Sequence, residues 1–290
     1  MTTTRLSLFD LAPDKVLLDR YRIHSGHREN GMSAAFRVHD LKHKEAEREL
    51  QAFPASLFEN VKQAEAFAST LRGWSKLDSS AILSLHDVVV LDDGAVLSIS
   101  DFPPGEGLRD LMAERKTMPE DEVVALGIAL LDGLEVAHDA GLIHGDIKPG
   151  TIFMGAKGGA GPVLVDGGVT PGLWAAKHLG TRTALIGTPY YAPLEQFGGD
   201  SPDERSDMYN LATVMYQLIT GVMPWRGKSY IEVFQSKMQP AAPSMRSVAP
   251  SIEVNSDLEA AIATALRGKR MERHESAAAF REALSEIDFE

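Results

Sequence analysis

The 290 residues predict an α+β protein: a lead-in at 1–18, a small β-rich part at 19–104 and a larger helical part at 105–290. Three observations carry this. Up to Phe102 the apolar runs are short, partly alternating and separated by turn residues, as in strands. Phe102-Pro103-Pro104-Gly105 then interrupts strand and helix alike. Beyond it, apolar residues recur every three or four positions, the spacing of a helix face.

In order along the chain, strands are expected at 21–23, 34–38, 50–53, 82–85, 88–91 and 95–100, around one helix at about 57–77. Asp92-Asp93-Gly94 lies between two apolar runs and signals a hairpin turn. Thr117-Met118-Pro119-Glu120 has the form of a capping box, and Val123, Val124, Leu126, Leu130, Leu131 and Leu134 continue a helix until Gly141. The Gly155–Gly161 run is a loop between two short strands, and helices are expected from Asp207 to Gly221, at 257–266 and at 276–287.

Composition narrows the function classes. A hydrophobic share of 44% and a charged share of 24% are those of a folded globular chain. With no cysteine the chain cannot form a disulfide, a thiolate nucleophile or a cysteine-based metal site. A net charge of −12 disfavours nucleic-acid binding, which depends on basic residues neutralising phosphates. The first 18 residues lack a secretory pattern and no apolar run is long enough to span a bilayer, so the expectation is a cytoplasmic location with no membrane insertion.

The chemistry-bearing motifs lie in the helical part. His144-Gly145-Asp146-Ile147-Lys148-Pro149-Gly150-Thr151 is followed by Leu164-Val165-Asp166-Gly167-Gly168, then by Gly187-Thr188-Pro189-Tyr190-Tyr191-Ala192-Pro193-Leu194-Glu195, Asp207-Met208-Tyr209 and Arg273. This order resembles the catalytic loop, metal loop, activation-segment end and helical frame of the protein kinase family, of bacterial serine/threonine type. The resemblance implies a bilobal protein kinase fold. It makes Asp146 the acceptor of a substrate proton, places Lys148 beside a transferring phosphate and makes Asp166 a magnesium ligand. It gives Glu195, Asp207 and Arg273 structural roles, with Glu195 paired to Arg273.

Other positions depart from the family's pattern. Thr151 replaces the asparagine that holds a second metal, a weak substitute at best. Gln51 stands at the phosphate-gripping lysine and Thr70 at the glutamate that orients it. Arg28, Asn30 and Ser33 occupy three glycine positions of the phosphate-covering loop. Alternation puts Glu49 beside Gln51 on the cleft face. The resemblance implies that Phe153 lies beneath the purine, so that the pocket would lie between Ala35 and Phe153, and Asp101 is placed with them in a degenerate nucleotide pocket. Gly167 replaces an aromatic, and Trp74 is expected to fill the space, an ordinary core tryptophan being the other reading. Gly145 replaces an arginine, so a phosphate on Thr181, Thr183 or Thr188 would lack its cationic partner.

Two functions follow from the resemblance. One is a pseudokinase, a non-catalytic signalling or scaffold module that recognises protein partners such as another kinase or a signalling protein, with no required cofactor and at most weak binding of ATP and magnesium. The other is a divergent transferase using Asp146, Lys148 and Asp166 with a recruited cation, for which Arg28, Arg37, Lys42 and Lys44 are candidates. The nine histidines show no zinc-binding spacing, and no nucleophile-elbow motif is present.

Overall fold

The computed structural model describes residues 11–29, 31–155, 159–177, 189–239 and 241–289. Its N-terminal part is an antiparallel sheet of β1 (Val16–Leu17), β2 (Tyr21–Glu29), β3 (Ala34–Asp40), β4 (Ala46–Phe53), β5 (Leu85–Val90) and β6 (Val96–Asp101), in the order β1-β2-β3-β4-β6-β5. Alternation along β4 sorts its side chains onto two faces. Leu50 and Ala52 join Ile23, Val38 and Ile99 in one apolar cluster. Phe53 joins Phe67, Val88 and Val96 on the other face, against α1 (Val61–Trp74).

The expected helix at 57–77 is shorter because the sequence supplies its own start. The Asn60 side chain accepts a hydrogen bond from the Gln63 N–H and caps α1, while Ala55–Leu57 forms a separate 3₁₀ turn after Pro54. The two strands expected at 82–85 and 88–91 are one strand, β5; Ile82 makes only an isolated bridge to Leu164. The hairpin turn falls where expected, with Gly94 at φ 89°.

The C-terminal part contains α2 (Leu108–Glu114), α3 (Glu120–Asp139), the strand pair β7 (Ile152–Phe153) and β8 (Val163–Leu164), and α4 (Val169–Lys177). After these come α5 (Leu194–Phe197), α6 (Glu204–Thr220), α7 (Tyr230–Lys237), α8 (Met245–Val248), α9 (Ser256–Ala265) and α10 (Ala277–Ser285). Leu130, Leu134, Met208, Val214, Leu258 and Phe280 share one core, so α3, α6, α9 and α10 pack as a single helical body. Thr117 does not cap α3, as its sequence suggested: the cap position is Pro119, with no side-chain bond, and the Glu120 carboxylate accepts instead from the Asn255 N–H. The helix expected from Asp207 starts earlier, at Glu204, because Asp203 and Ser206 form a reciprocal capping box; Gly221, at φ 71°, ends it. Among the described residues, no helix is long and apolar enough to cross a membrane.

Candidate functional site

The 144–151 loop is pinned to α6 by one buried carboxylate. Asp207 accepts from the His144 N–H at 2.9 Å and the Gly145 N–H at 2.7 Å, and its Oδ2 lies 3.0 Å from His138 Nε2. The His144 ring bonds the Val165 carbonyl at 2.9 Å, which ties this loop to the residue before Asp166. Asp207 is therefore a structural group, as the resemblance implied. So is the Glu195–Arg273 pair, bidentate at 2.6 and 2.9 Å with the arginine side chain fully buried.

Within the loop, Asp146 forms an ion pair with Lys148. The Thr151 hydroxyl is used by the loop's own backbone: it accepts from the Lys148 N–H at 3.1 Å and lies 3.0 and 3.2 Å from the Lys148 and Asp146 carbonyls.

Across the cleft, β2 delivers a cation onto Asp166. The Arg28 guanidinium donates to both Asp166 oxygens, at 2.6 and 2.7 Å, and to both Glu49 oxygens, at 2.5 and 2.9 Å. All three side chains are nearly buried, at 11% exposed for Arg28, 7% for Asp166 and 2% for Glu49. Burial opposes charge on Asp166, but the adjacent Arg28 outweighs it and holds the carboxyl below its ordinary range. Burial also opposes the Arg28 charge, and Asp166 and Glu49 together more than restore it. Asp166 adopts φ 64°, a left-handed conformation that aspartate tolerates better than most residues.

Beside Arg28, the His27 ring fills the upper cleft. Its Nδ1 lies 2.7 Å from Glu49, and its centroid is 4.6 Å from that of Phe102 and 5.9 Å from that of Phe153. Two consecutive residues reach one carboxylate because β2 is bulged. Gly26 pairs with Phe36 and Arg28 with the next residue, Ala35, so His27 is the extra residue and the usual alternation fails there.

The sequence-derived pocket residues are thus partly assembled. Gln51, Glu49 and Asp166 line one small cavity with Trp74 and Gly167, of about 50 Å³, room for a few waters at most. The Gln51 amide donates to the Ser33 hydroxyl at 2.8 Å. Phe153 is buried against Val163 and Val165 and lines a larger outer cavity, of about 610 Å³, with Lys148, Thr151 and Arg28. Asp101 is not brought to this cleft: it pairs across β4 with Arg48, on the face opposite Glu49, and its carboxylate bonds Arg48 and His86. Trp74, 4% exposed, lies over Gly167, where a side chain would collide with its ring. Thr181, Thr183 and Thr188 lie outside the described residues.

His27 is not legible as a site residue, and Arg28 is legible only as the occupant of a glycine position in the phosphate-covering loop and as one of four candidate cations; the bulge that aims both carries no sequence signature here.

Residues 40–284 match the protein kinase domain. The chain belongs to the protein kinase family. Kinase relatives include a probable serine/threonine-protein kinase of Corynebacterium efficiens, 30% identical over 271 residues, covering 91% of this chain and 40% of the relative. PknB of Corynebacterium glutamicum, a probable serine/threonine-protein kinase, is 30% identical and is covered over 41% of its length, with 90% of this chain matched. This chain therefore spans well under half the length of these curated relatives. Among solved structures, the Mycobacterium tuberculosis PknI kinase domain superposes with a TM-score of 0.74 at 21% identity, covering 95% of this chain and 99% of that domain. This likeness shows the kinase fold, with a curled sheet above a helical body.

Proposed function

We propose that this kinase-fold chain is a pseudokinase: a non-catalytic signalling or scaffold module, cytoplasmic, that acts by binding protein partners. One observation carries the reading, the guanidinium of Arg28 fixed between Asp166 and Glu49. A magnesium ion needs the carboxylate oxygens that Arg28 occupies. Displacing Arg28 would leave Glu49 buried beside it without its main partner, a costly exchange. The His27 ring supports the same reading, since it lies on Phe153 and Phe102 where a flat base would otherwise pack. The Gln51 amide, bonded to Ser33, offers no charge to phosphates.

A second reading is favoured by the same arginine. If Arg28 turned from Asp166 to a nucleotide, it would supply the cation that Gln51 lacks, and Asp146, Lys148 and Asp166 would complete a divergent phosphotransferase. Transfer of labelled phosphate from ATP to a generic serine/threonine substrate separates the two. The pseudokinase reading expects no incorporation above that of an Asp146→Ala variant. Incorporation that disappears in both Asp146→Ala and Arg28→Gln would establish the second.

A further inference from the structure

Four glycines near the cleft share a property that their sequence positions do not reveal: each sits where a Cβ would strike a neighbouring element. At Gly145, with φ 83°, it would lie 2.7 Å from Pro171 of α4. At Gly167 and Gly168 it would collide with the Trp74 ring of α1. At Gly172 of α4 it would meet Phe67 at 3.0 Å and the Thr70 Cβ at 3.3 Å, both on α1. The contacts close a triangle of α1, α4 and the two loops, which the His144–Val165 hydrogen bond ties together: α1 rests on the metal loop through Trp74, α4 on the catalytic loop through Pro171, and α1 and α4 meet at Gly172. Between them, Ala64, Phe67, Ala68 and Leu71 of α1 pack with Val169, Leu173 and Ala176 of α4 in one buried cluster.

We propose that α4 is a permanent strut that fixes α1 and the catalytic loop in one arrangement, with glycines 145 and 172 the seats that admit it and glycines 167 and 168 those that admit Trp74 of α1. Conformational state is then set by packing, where a switchable kinase would use a ligand or a phosphate. This deepens the pseudokinase reading and rests on it. Helix propensity does not explain α4, which carries Pro171 and Gly172 within nine residues. Its contacts with α1 do.

The absence of cysteine gives a clean test. The 3.3 Å separation at Thr70 and Gly172 is just below the usual Cβ–Cβ range of a disulfide, so a Thr70→Cys/Gly172→Cys pair should bond after a small outward adjustment. Under mild oxidation the strut predicts essentially complete cross-linking at a rate unchanged, within twofold, by millimolar MgATP. Incomplete cross-linking, or a rate that MgATP changes severalfold, would overturn it. Nucleotide binding to the cross-linked protein would instead count against the pseudokinase reading alone. A second variant does not depend on disulfide chemistry. Gly172→Ala in an unencumbered helix raises the melting temperature, because alanine is the better helix former. With Phe67 and Thr70 pressed against it, the same change should lower the melting temperature, and Phe67→Leu in that background should recover part of the loss. A rise in Gly172→Ala would remove the close contact on which the strut depends.

Discussion

Two buried arginines in this chain do the same chemistry for different ends. Arg273 bonds Glu195 through two nitrogens and spends its remaining donors on the carbonyls of Arg205, Arg267 and Gly268, so it meets a single carboxylate inside a helical frame, one that Arg270 also approaches at 3.6 Å. Arg28 meets two carboxylates from different parts of the fold, Glu49 of β4 and Asp166 of the metal loop, and leaves the cluster one negative charge in excess. The first arrangement holds together what the family shares. On the proposed function, the second closes what the family leaves open for ATP and metal. A buried guanidinium is thus no marker of function by itself; what it neutralises decides.

The comparison can be broken most strongly at Arg273. Arg273→Ala leaves the Glu195 carboxylate only Arg270, 3.6 Å away, and the Ser206 hydroxyl, and should cost ~3–5 kcal/mol in chemical denaturation, the range for an ion pair broken by removing one partner. Arg28→Ala should cost roughly 3 kcal/mol, at the lower end of that range, because His27 still reaches Glu49 and the outer cleft can admit water. Removing both charges, as Arg28→Met with Glu49→Leu, should regain more than half of that loss, since an apolar pair leaves only Asp166 to be solvated. If the double variant is no better than Arg28→Ala, the cluster is not the linked unit described.

A third buried basic side chain sharpens the contrast. Lys237 donates to the carbonyls of Tyr190 and Ala192 at 2.9 and 2.8 Å, while burial and the nearby Arg273 push its pKa well below the usual lysine range. Lys237→Met orphans both carbonyls and should cost ~1–3 kcal/mol without altering the cleft.

Acid separates the two arginine clusters from solvent-exposed pairs. The folded-state pKa values of both Asp166 and Glu195 are depressed, against the effect of burial, by Arg28 and Arg273 respectively. Their contribution is fully present above the unfolded carboxylate values, about 4, and is lost as pH falls through the lower folded values. Stability should therefore be flat with respect to these groups from pH 5 to 8 and fall below about pH 4, less steeply in Arg28→Ala. The smallest effect is expected at Asp101, 42% exposed: Asp101→Asn should change stability by less than ~1 kcal/mol and leave the cleft unaffected.

Much of the frame was legible in the sequence because its residues keep their spacing: Asp207 receives the catalytic loop and Arg273 finds Glu195 as the motif order implied. Strand alternation also placed Glu49 and Gln51 together on the cleft side of β4. Alternation failed in β2, where one extra residue turns His27 and Arg28 toward the same carboxylate. Asp101, by its pairing with Arg48, lies on the other face, as the same alternation dictates. The helix α4 left no periodic signal, since Pro171 and Gly172 break its local pattern and its stability comes from α1. Trp74 was legible for a different reason: an aromatic lost at Gly167 implied a volume to be filled, and the indole lies over that glycine.

The central claim is that Arg28 and His27 hold the positions that nucleotide and metal would need. Thermal unfolding of the intact chain in increasing ATP, with and without magnesium, tests it most directly, because any ligand that binds the folded state raises the melting temperature in a saturable way. The account predicts no shift up to millimolar ATP in either condition. A saturable rise that requires magnesium and is lost in Asp166→Asn would contradict it.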